Sequence, residues 1–240
     1  MPYSPGRGVG GWTLAYHCPV CREELVERPG RATCWFCGRD DEAEWTCPAG
    51  HHACEDCRTA EPDEGIARVA AATTETDPVA IAERMMSHPS FQPSGPEHHG
   101  VPAAALLAAL RNAGLHASSP ERIGAAVRRT ADVPLGACGS RGDCGACVGA
   151  GAAVAAVVGA DYRTAAERAL VLRTTSRALG RLADLGGARC CKQAVYVAIE
   201  TAVQVLAEAR GLRLEIPAIR CPFADRNPDC KKDGCPYHDR

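Results

Sequence analysis

Fifteen cysteines, none of them isolated, constrain this 240-residue chain more than any other feature. They fall into the groups 18/21, 34/37, 47/54/57, 138/144/147, 190/191 and 221/230/235. Thiols clustered in this way are either paired as disulfides or committed to metal and redox chemistry, and the compartment decides which. An odd number leaves one thiol over in a fully paired framework. Residues 1–11 have neither a basic start nor an apolar run, so no secretory leader is expected. The longest apolar run, 148–160, is too short to span a bilayer. These readings point to a cytoplasmic protein whose cysteines bind metal or do redox work, with no membrane partner.

The first groups have metal-ligand spacing. Cys18-x2-Cys21, twelve residues, then Cys34-x2-Cys37 is the pattern of a zinc ribbon. Cys47-x3-His51-x2-Cys54-x2-Cys57 follows, with His52 as an alternative to His51. Eight ligands imply two Zn²⁺, paired either in sequence or interleaved as in a RING-like cross-brace. Sites filled by four protein ligands have no open position, so these are structural. So short a segment cannot bury enough apolar surface, and metal supplies the missing stability. Residues 1–60 carry six basic and nine acidic side chains, which argues against nucleic acid and leaves docking of a partner enzyme as the other use.

Beyond Glu61-Pro62 the composition turns Ala-rich. Six of the eleven aromatics lie before residue 46, so the remaining core is built from Ala, Val and Leu. Such side chains suit closely packed helices. Asp77-Pro78 and Ser119-Pro120 are N-caps followed by Pro at the first helical position. Helices are expected near 78–87, 102–112, 119–130, 147–158, 161–185 and 190–210. On the last, Cys191, Val195, Ala198, Ala202, Val205 and Leu206 define a buried face. Lys192, Gln193, Glu200, Gln204 and Glu208 define a wet one. Residues 88–100 hold three prolines and two glycines and read as a loop. The chain is therefore expected to be mainly α. A zinc-ribbon or RING-like module spans 12–60, a helical domain 64–212, and a Cys-rich tail 213–240 packs on that domain.

The second cysteine set lies in Gly-rich loops at predicted helix starts. Free amides and the positive end of the helix dipole favour anions there and lower a thiol's pKa. Cys138, Cys144, Cys147, Cys190, Cys191 and Cys221 are candidate ligands of an iron–sulfur cluster of the [4Fe-4S] type. Cys221, Cys230, Cys235 and His238 can instead make a Cys3His zinc site. The vicinal pair Cys190-Cys191 suits a thiol or persulfide relay. His98 or His99 is a candidate base or substrate contact. Arg141, Asp143, Arg189 and Lys192 are candidates for holding a small-molecule carboxylate or phosphate.

Five motifs resemble a prokaryotic cysteine-rich family of unknown function. They are Pro-Glu-His-His-Gly (96–100), Cys-Gly-x-x-Gly-x-Cys-Gly-Ala (138–146), Thr-Ser-x-x-Leu (175–179), Gly-Gly-Ala-Arg-Cys-Cys-Lys (186–192) and Ile-x-Cys-Pro-Phe … Cys … Cys-Pro-Tyr-His (219–238). The stretch 50–57 also resembles that family's N-terminal zinc module. The resemblance implies a shared fold, often beside methyltransferase or radical-chemistry modules, and no established reaction. Residues 147–160 with Ile-Pro-Ala-Ile-Arg-Cys (216–221) are also similar to the α-helical domain of iron–sulfur serine dehydratases and cysteine desulfidases. That likeness implies a cluster held by one of Cys138, Cys144 and Cys147, one of Cys190 and Cys191, and Cys221. It also implies an elimination reaction at the open iron. A non-catalytic zinc accessory protein is the alternative.

Overall fold

The computed structural model describes residues 16–238. The expected absence of a leader at 1–11, the first residues of the 12–60 module and the last two of the tail lie outside the described residues. The described chain is mainly α, as its composition implies, with one small sheet.

The sheet is a hairpin of β1 (Val26–Thr33) and β2 (Asp40–Thr46), antiparallel, with Val26 opposite Thr46 and Thr33 opposite Asp40. Almost every residue of both strands is exposed or half-buried. A two-stranded ribbon with so little apolar burial is marginal on its own. Something other than the hydrophobic effect must hold it.

The helical body starts with α1 (Glu55–Arg58) and α2 (Pro62–Ala72). Next is α3 (Pro78–Met86), whose N-cap Asp77 accepts the Val79 amide at 2.8 Å. A loop with one 3-10 turn at Pro96–His98 leads into α4 (Val101–Asn112). Every residue from Val101 to Leu110 is buried. A helix apolar on all sides is a central helix, and the others wrap around it. Ser119 caps α5 (Pro120–Arg128) through the Arg122 amide. The short α6 (Ala137–Ser140) precedes α7 (Gly145–Val158), which packs on α4, on α8 (Ala165–Leu185) and on α9 (Cys191–Arg210). Gly159 and Gly211 stop α7 and α9 in the left-handed region.

Three expectations need correction. α7 begins at Gly145 rather than Cys147, because Cys144 takes the extended N-cap conformation. α8 is preceded by Thr164 as N-cap; Asp161 instead accepts the amides of Arg163 and Thr164 at 2.7 and 2.9 Å and closes the turn before it. The wet face of α9 is not wet in its first turns. Lys192 and Gln193 are buried, as are Tyr196, Val197 and Ile199, because α3, α4, α7 and α8 all contact this helix.

The tail is irregular and folds back. The Cys221 amide donates to Tyr237 O at 2.7 Å, the Tyr237 ring packs 5.1 Å from that of Tyr196, and Arg226 reaches Val20 O. Phe36 of the hairpin turn is buried against His88, ring centroids 4.8 Å apart. One continuous core joins the cysteine-rich segment to the helices.

Glycine sets the closest helix approach. A Cβ at Gly149 would stand 2.5 Å from the backbone oxygen of His99, which cannot swing away. Nothing lies within 4 Å of the equivalent position at Gly180 on α8. Gly149→Ala is expected to destabilise the protein by about 2 kcal/mol through backbone displacement. Gly180→Ala is expected to stabilise it by about 0.5–1 kcal/mol through lower unfolded-chain entropy. Paired denaturant melts of the two variants measure the difference.

Candidate functional site

The hairpin explains how the first eight ligands combine. Antiparallel pairing brings the start of β1 beside the end of β2, so Cys18 and Cys21 meet Cys47 and His51. Cys34 and Cys37 sit at the turn, at the far end. The chain leaves β2, runs back past Trp35, whose amide donates to His52 O at 2.7 Å, and delivers Cys54 and Cys57 to that turn. The ligands are interleaved, as in a cross-brace. In each group one nitrogen or sulfur per residue lies within 4.8 Å of all the others.

The spacing fits a single tetrahedral ion. Metal–sulfur bonds of about 2.3 Å put sulfurs about 3.8 Å apart. Cys21 and Cys47 Sγ are 3.3 Å apart, Cys37 and Cys54 Sγ 3.7 Å, and Cys47 Sγ to His51 Nδ1 3.7 Å. His52 points elsewhere, its Nε2 3.8 Å from Asp41. Backbone amides are already aimed at the sulfurs, Val20 N at Cys18 Sγ (3.4 Å) and Cys54 N at Cys34 Sγ (3.5 Å). Burial pushes the Cys34 thiol up, but the amides of Cys37, Cys54 and Phe36 outweigh it and bring it down to about 7. Arg22 and Gly38, each directly after a Cys-x2-Cys pair, both have positive φ, 68° and 71°.

The second feature is a cavity of about 630 Å³ in the helical body, within the size range of small-molecule sites. Its walls are the loop before α4, the 134–146 loop, the end of α8 and the start of α9. His98, His99, Cys138, Cys144, Cys190, Cys191 and Arg189 all line it. Cys147 does not; it is fully buried one helical turn behind Cys144.

His98 is fully buried, and its Nδ1 lies 3.1 Å from Gly95 O. A proton on Nδ1 donated to that carbonyl leaves Nε2 with a lone pair, and Nε2 has no partner. Burial holds both His98 and His99 below the usual imidazole range, so they are neutral acceptors near pH 7. The His99 ring lies directly over Gly145, where any Cβ would collide with it, and its Nδ1 is also unpartnered.

Cys144 caps a 14-residue helix. The Cys147 thiol hydrogen-bonds it; burial works against ionisation, and the amides of Cys147 and Ala146 work for it. The outcome is a thiol pulled down to about 6, while the bond to Cys144 and burial push Cys147 well up. Two candidate anion-holders are spent within the protein. Arg141 pairs with Asp143, and Lys192 donates to the carbonyls of Gln92 (3.0 Å) and Pro93 (2.6 Å).

The remaining cysteines divide between two cavities. Cys190 borders both the large one and a small one of about 20 Å³, which Cys221, Cys230, Cys235 and His238 also line. Cys191 faces only the large one. The six candidate cluster ligands are thus not brought to one point. Sequence reasoning missed the roles of Gln193 and Asn227, whose side-chain amides lie 3.4 Å from Cys235 and Cys190 Sγ. Their polarity alone carried no signal of this.

The model of a family of unknown function, DUF5714, matches residues 66–238. No curated protein matches, and no solved structure matches. Both cavities lie within the matched residues, and the two interleaved groups precede them. The likeness to serine dehydratases and desulfidases finds no support in these matches. Among the described residues no helix is long and apolar enough to cross a membrane.

Because the two interleaved groups share no ligand, each should load separately. Cys34→Ser is expected to lower the metal content by one ion, counted by native mass spectrometry. Exhaustive chelation should unfold the hairpin, since structural metal contributes on the order of 10 kcal/mol to so small a module. The helical body should keep its far-ultraviolet helix signal.

Proposed function

The chain belongs to the DUF5714 family of unknown function. From that premise we propose that the large cavity is a thiol–disulfide exchange site for a small sulfur compound. Two structural zinc ions in the hairpin hold the module beside it. One observation carries the reading. Cys144 and Cys147 form a C-x-x-C pair at the N-terminus of α7, the first thiol lining a cavity that His98 and His99 also line and the second buried behind it.

The chemistry follows from that placement. The Cys144 thiolate attacks one sulfur of a small disulfide, a mixed disulfide forms, and the other half leaves as a thiolate. The neutral imidazoles of His98 and His99 hydrogen-bond the incoming compound. The Cys147 thiol then loses its proton and attacks Cys144 Sγ. The second half leaves as a thiol, and a Cys144–Cys147 disulfide remains. The substrate is reduced by two electrons and the dithiol is oxidised by two. The Cys190-Cys191 pair also lines the large cavity, but the Cys190 sulfur is engaged by Asn227 and the Gln193 amide on the side of the small one, which suits the pair less to exchange.

A second reading rests on the cavity's size and its thiols. Cys138 and Cys144 from the 134–146 loop and Cys191 from the start of α9 line a volume that also has room for a substrate. If they held a [4Fe-4S] cluster, it would supply a Lewis-acidic iron for elimination, with His98 or His99 placed to accept a proton.

Alkylation and metal analysis separate the two readings. With a low thiol pKa the thiolate is present above pH 6 and is lost as pH falls through that value. Iodoacetamide should therefore modify Cys144 with a midpoint near pH 6. Cys147→Ala should move that midpoint up toward the ordinary thiol range, cutting reactivity at pH 6 by about tenfold or more. Oxidised dithiothreitol should convert the pair to an intramolecular disulfide visible by mass spectrometry. A midpoint in the ordinary thiol range for the unaltered protein, or no such disulfide, overturns the exchange reading. Iron and acid-labile sulfide near four each per chain after anaerobic purification would establish the cluster instead.

A further inference from the structure

The tail gathers thiols that neither the hairpin nor the proposed exchange site uses. Cys221, Cys230 and Cys235 line the 20 Å³ cavity together with Cys190 at the N-cap of α9. That volume suits a single ion and is far too small for a cubane cluster. Three of the four sulfurs accept N–H donors. Cys190 takes Asn227 Nδ2 (3.4 Å) and the Gln193 amide (3.5 Å), Cys235 takes Gln193 Nε2 (3.4 Å), and Cys230 takes the Lys232 amide (3.4 Å).

The Lys232 amide lies two residues after its cysteine, as Val20 does after Cys18 in the hairpin. Lys232, two residues after Cys230, has a positive φ of 48°. The local backbone of the tail thus repeats one feature of the metal-ligating knuckle.

Charge points the same way. Lys192 lines this cavity and is only 5% exposed, yet it forms no ion pair with a carboxylate among the described residues. Lys231, which also lines the cavity, bonds Gln193 Oε1 at 2.8 Å and the Gly186 carbonyl. The Lys192 ammonium is held by the carbonyls of Gln92 and Pro93 and feels the Glu97 carboxylate, and further anions at the cavity would offset the cost of its burial. Four thiolates around a divalent ion carry a net charge of −2, which two ammonium groups balance.

We propose that Cys190, Cys221, Cys230 and Cys235, whose sulfurs stand farther apart than those of the two hairpin groups, close on a third metal ion, a thiophilic divalent cation such as zinc or ferrous iron. Four S–H bonds give way to four metal–sulfur bonds, four protons leave to solvent, and no electrons move. The ion pins the tail to α9 and withdraws Cys190 from thiol chemistry, leaving Cys191 to the large cavity. Cys190 is placed before His238 as the fourth ligand because its sulfur already accepts Asn227 of the tail and the Gln193 amide.

The test is cobalt substitution of the full chain, counted by native mass spectrometry and by the absorption of tetrahedral thiolate-bound Co²⁺. Three ions per chain are expected, falling to two in Cys190→Ser and staying at three in His238→Ala. Two ions on the unaltered chain, three on Cys190→Ser, or loss of an ion in His238→Ala overturns the proposal. Should a variant fail to fold, alkylation of the unaltered loaded protein decides. Cys190, Cys221, Cys230 and Cys235 should resist iodoacetamide until a chelator is added, while exposed Cys138 reacts at once. Reaction of the four before chelation overturns the site. Neither readout depends on Cys144, so failure here is distinct from failure of the exchange reading.

Discussion

The structure turns on how closely α7 approaches the loop that carries His98 and His99. Gly145 lies under the His99 ring, Gly149 against the His99 carbonyl, and Gly151 against Thr175 of α8. Side chains at these positions would hold α7 off its neighbours on two sides. Their absence brings a helix N-terminus, with its unsatisfied amides, next to two buried imidazoles. The fully buried α4 makes this possible by giving α7 an apolar wall of Ala and Leu to lie on. The cavity is therefore a product of backbone proximity, and the side chains that line it are positioned by helix ends.

At the other end of the chain the governing constraint is different. The hairpin strands are charged and mostly exposed, and burial cannot account for their order. Two groups of four candidate ligands stand one at each end of the ribbon, placed to clamp both ends. Metal binding there would supply what a core supplies elsewhere. The same arrangement sets Phe36 against His88 and Val20 beside Arg226, so the module is joined to the helices and to the tail.

Much of this was legible in the sequence, for physical reasons. Pro at N1 after Asp77 and Ser119 marked helix starts, and Gly159 and Gly211 marked ends, because these residues act within one turn of the chain. The eight hairpin ligands were legible as a set, since knuckle spacing is local. Their pairing was not, because it depends on which strand ends meet. The choice of His51 over His52 turns on a side-chain direction that spacing leaves open. The wet face assigned to α9 failed for a related reason. Lys192 and Gln193 satisfy periodicity as surface residues, but Lys192 is committed to the carbonyls of Gln92 and Pro93, a hundred residues away in the chain.

The Cys190-Cys191-Lys192 run shows what adjacency conceals. Cys190 is the extended N-cap of α9 and Cys191 its first helical residue, so two thiols that look like one vicinal pair stand on different backbone geometry. Cys190 turns toward the tail, where Asn227 meets it, and Cys191 toward the large cavity beside Cys144. Lys192 turns inward and brings a positive charge to the side where thiols are most concentrated. A disulfide between the adjacent cysteines would require both sulfurs to leave these positions. The run is better understood as three residues serving three neighbours from one helix end, and helix geometry, rather than proximity in sequence, assigns each its chemistry.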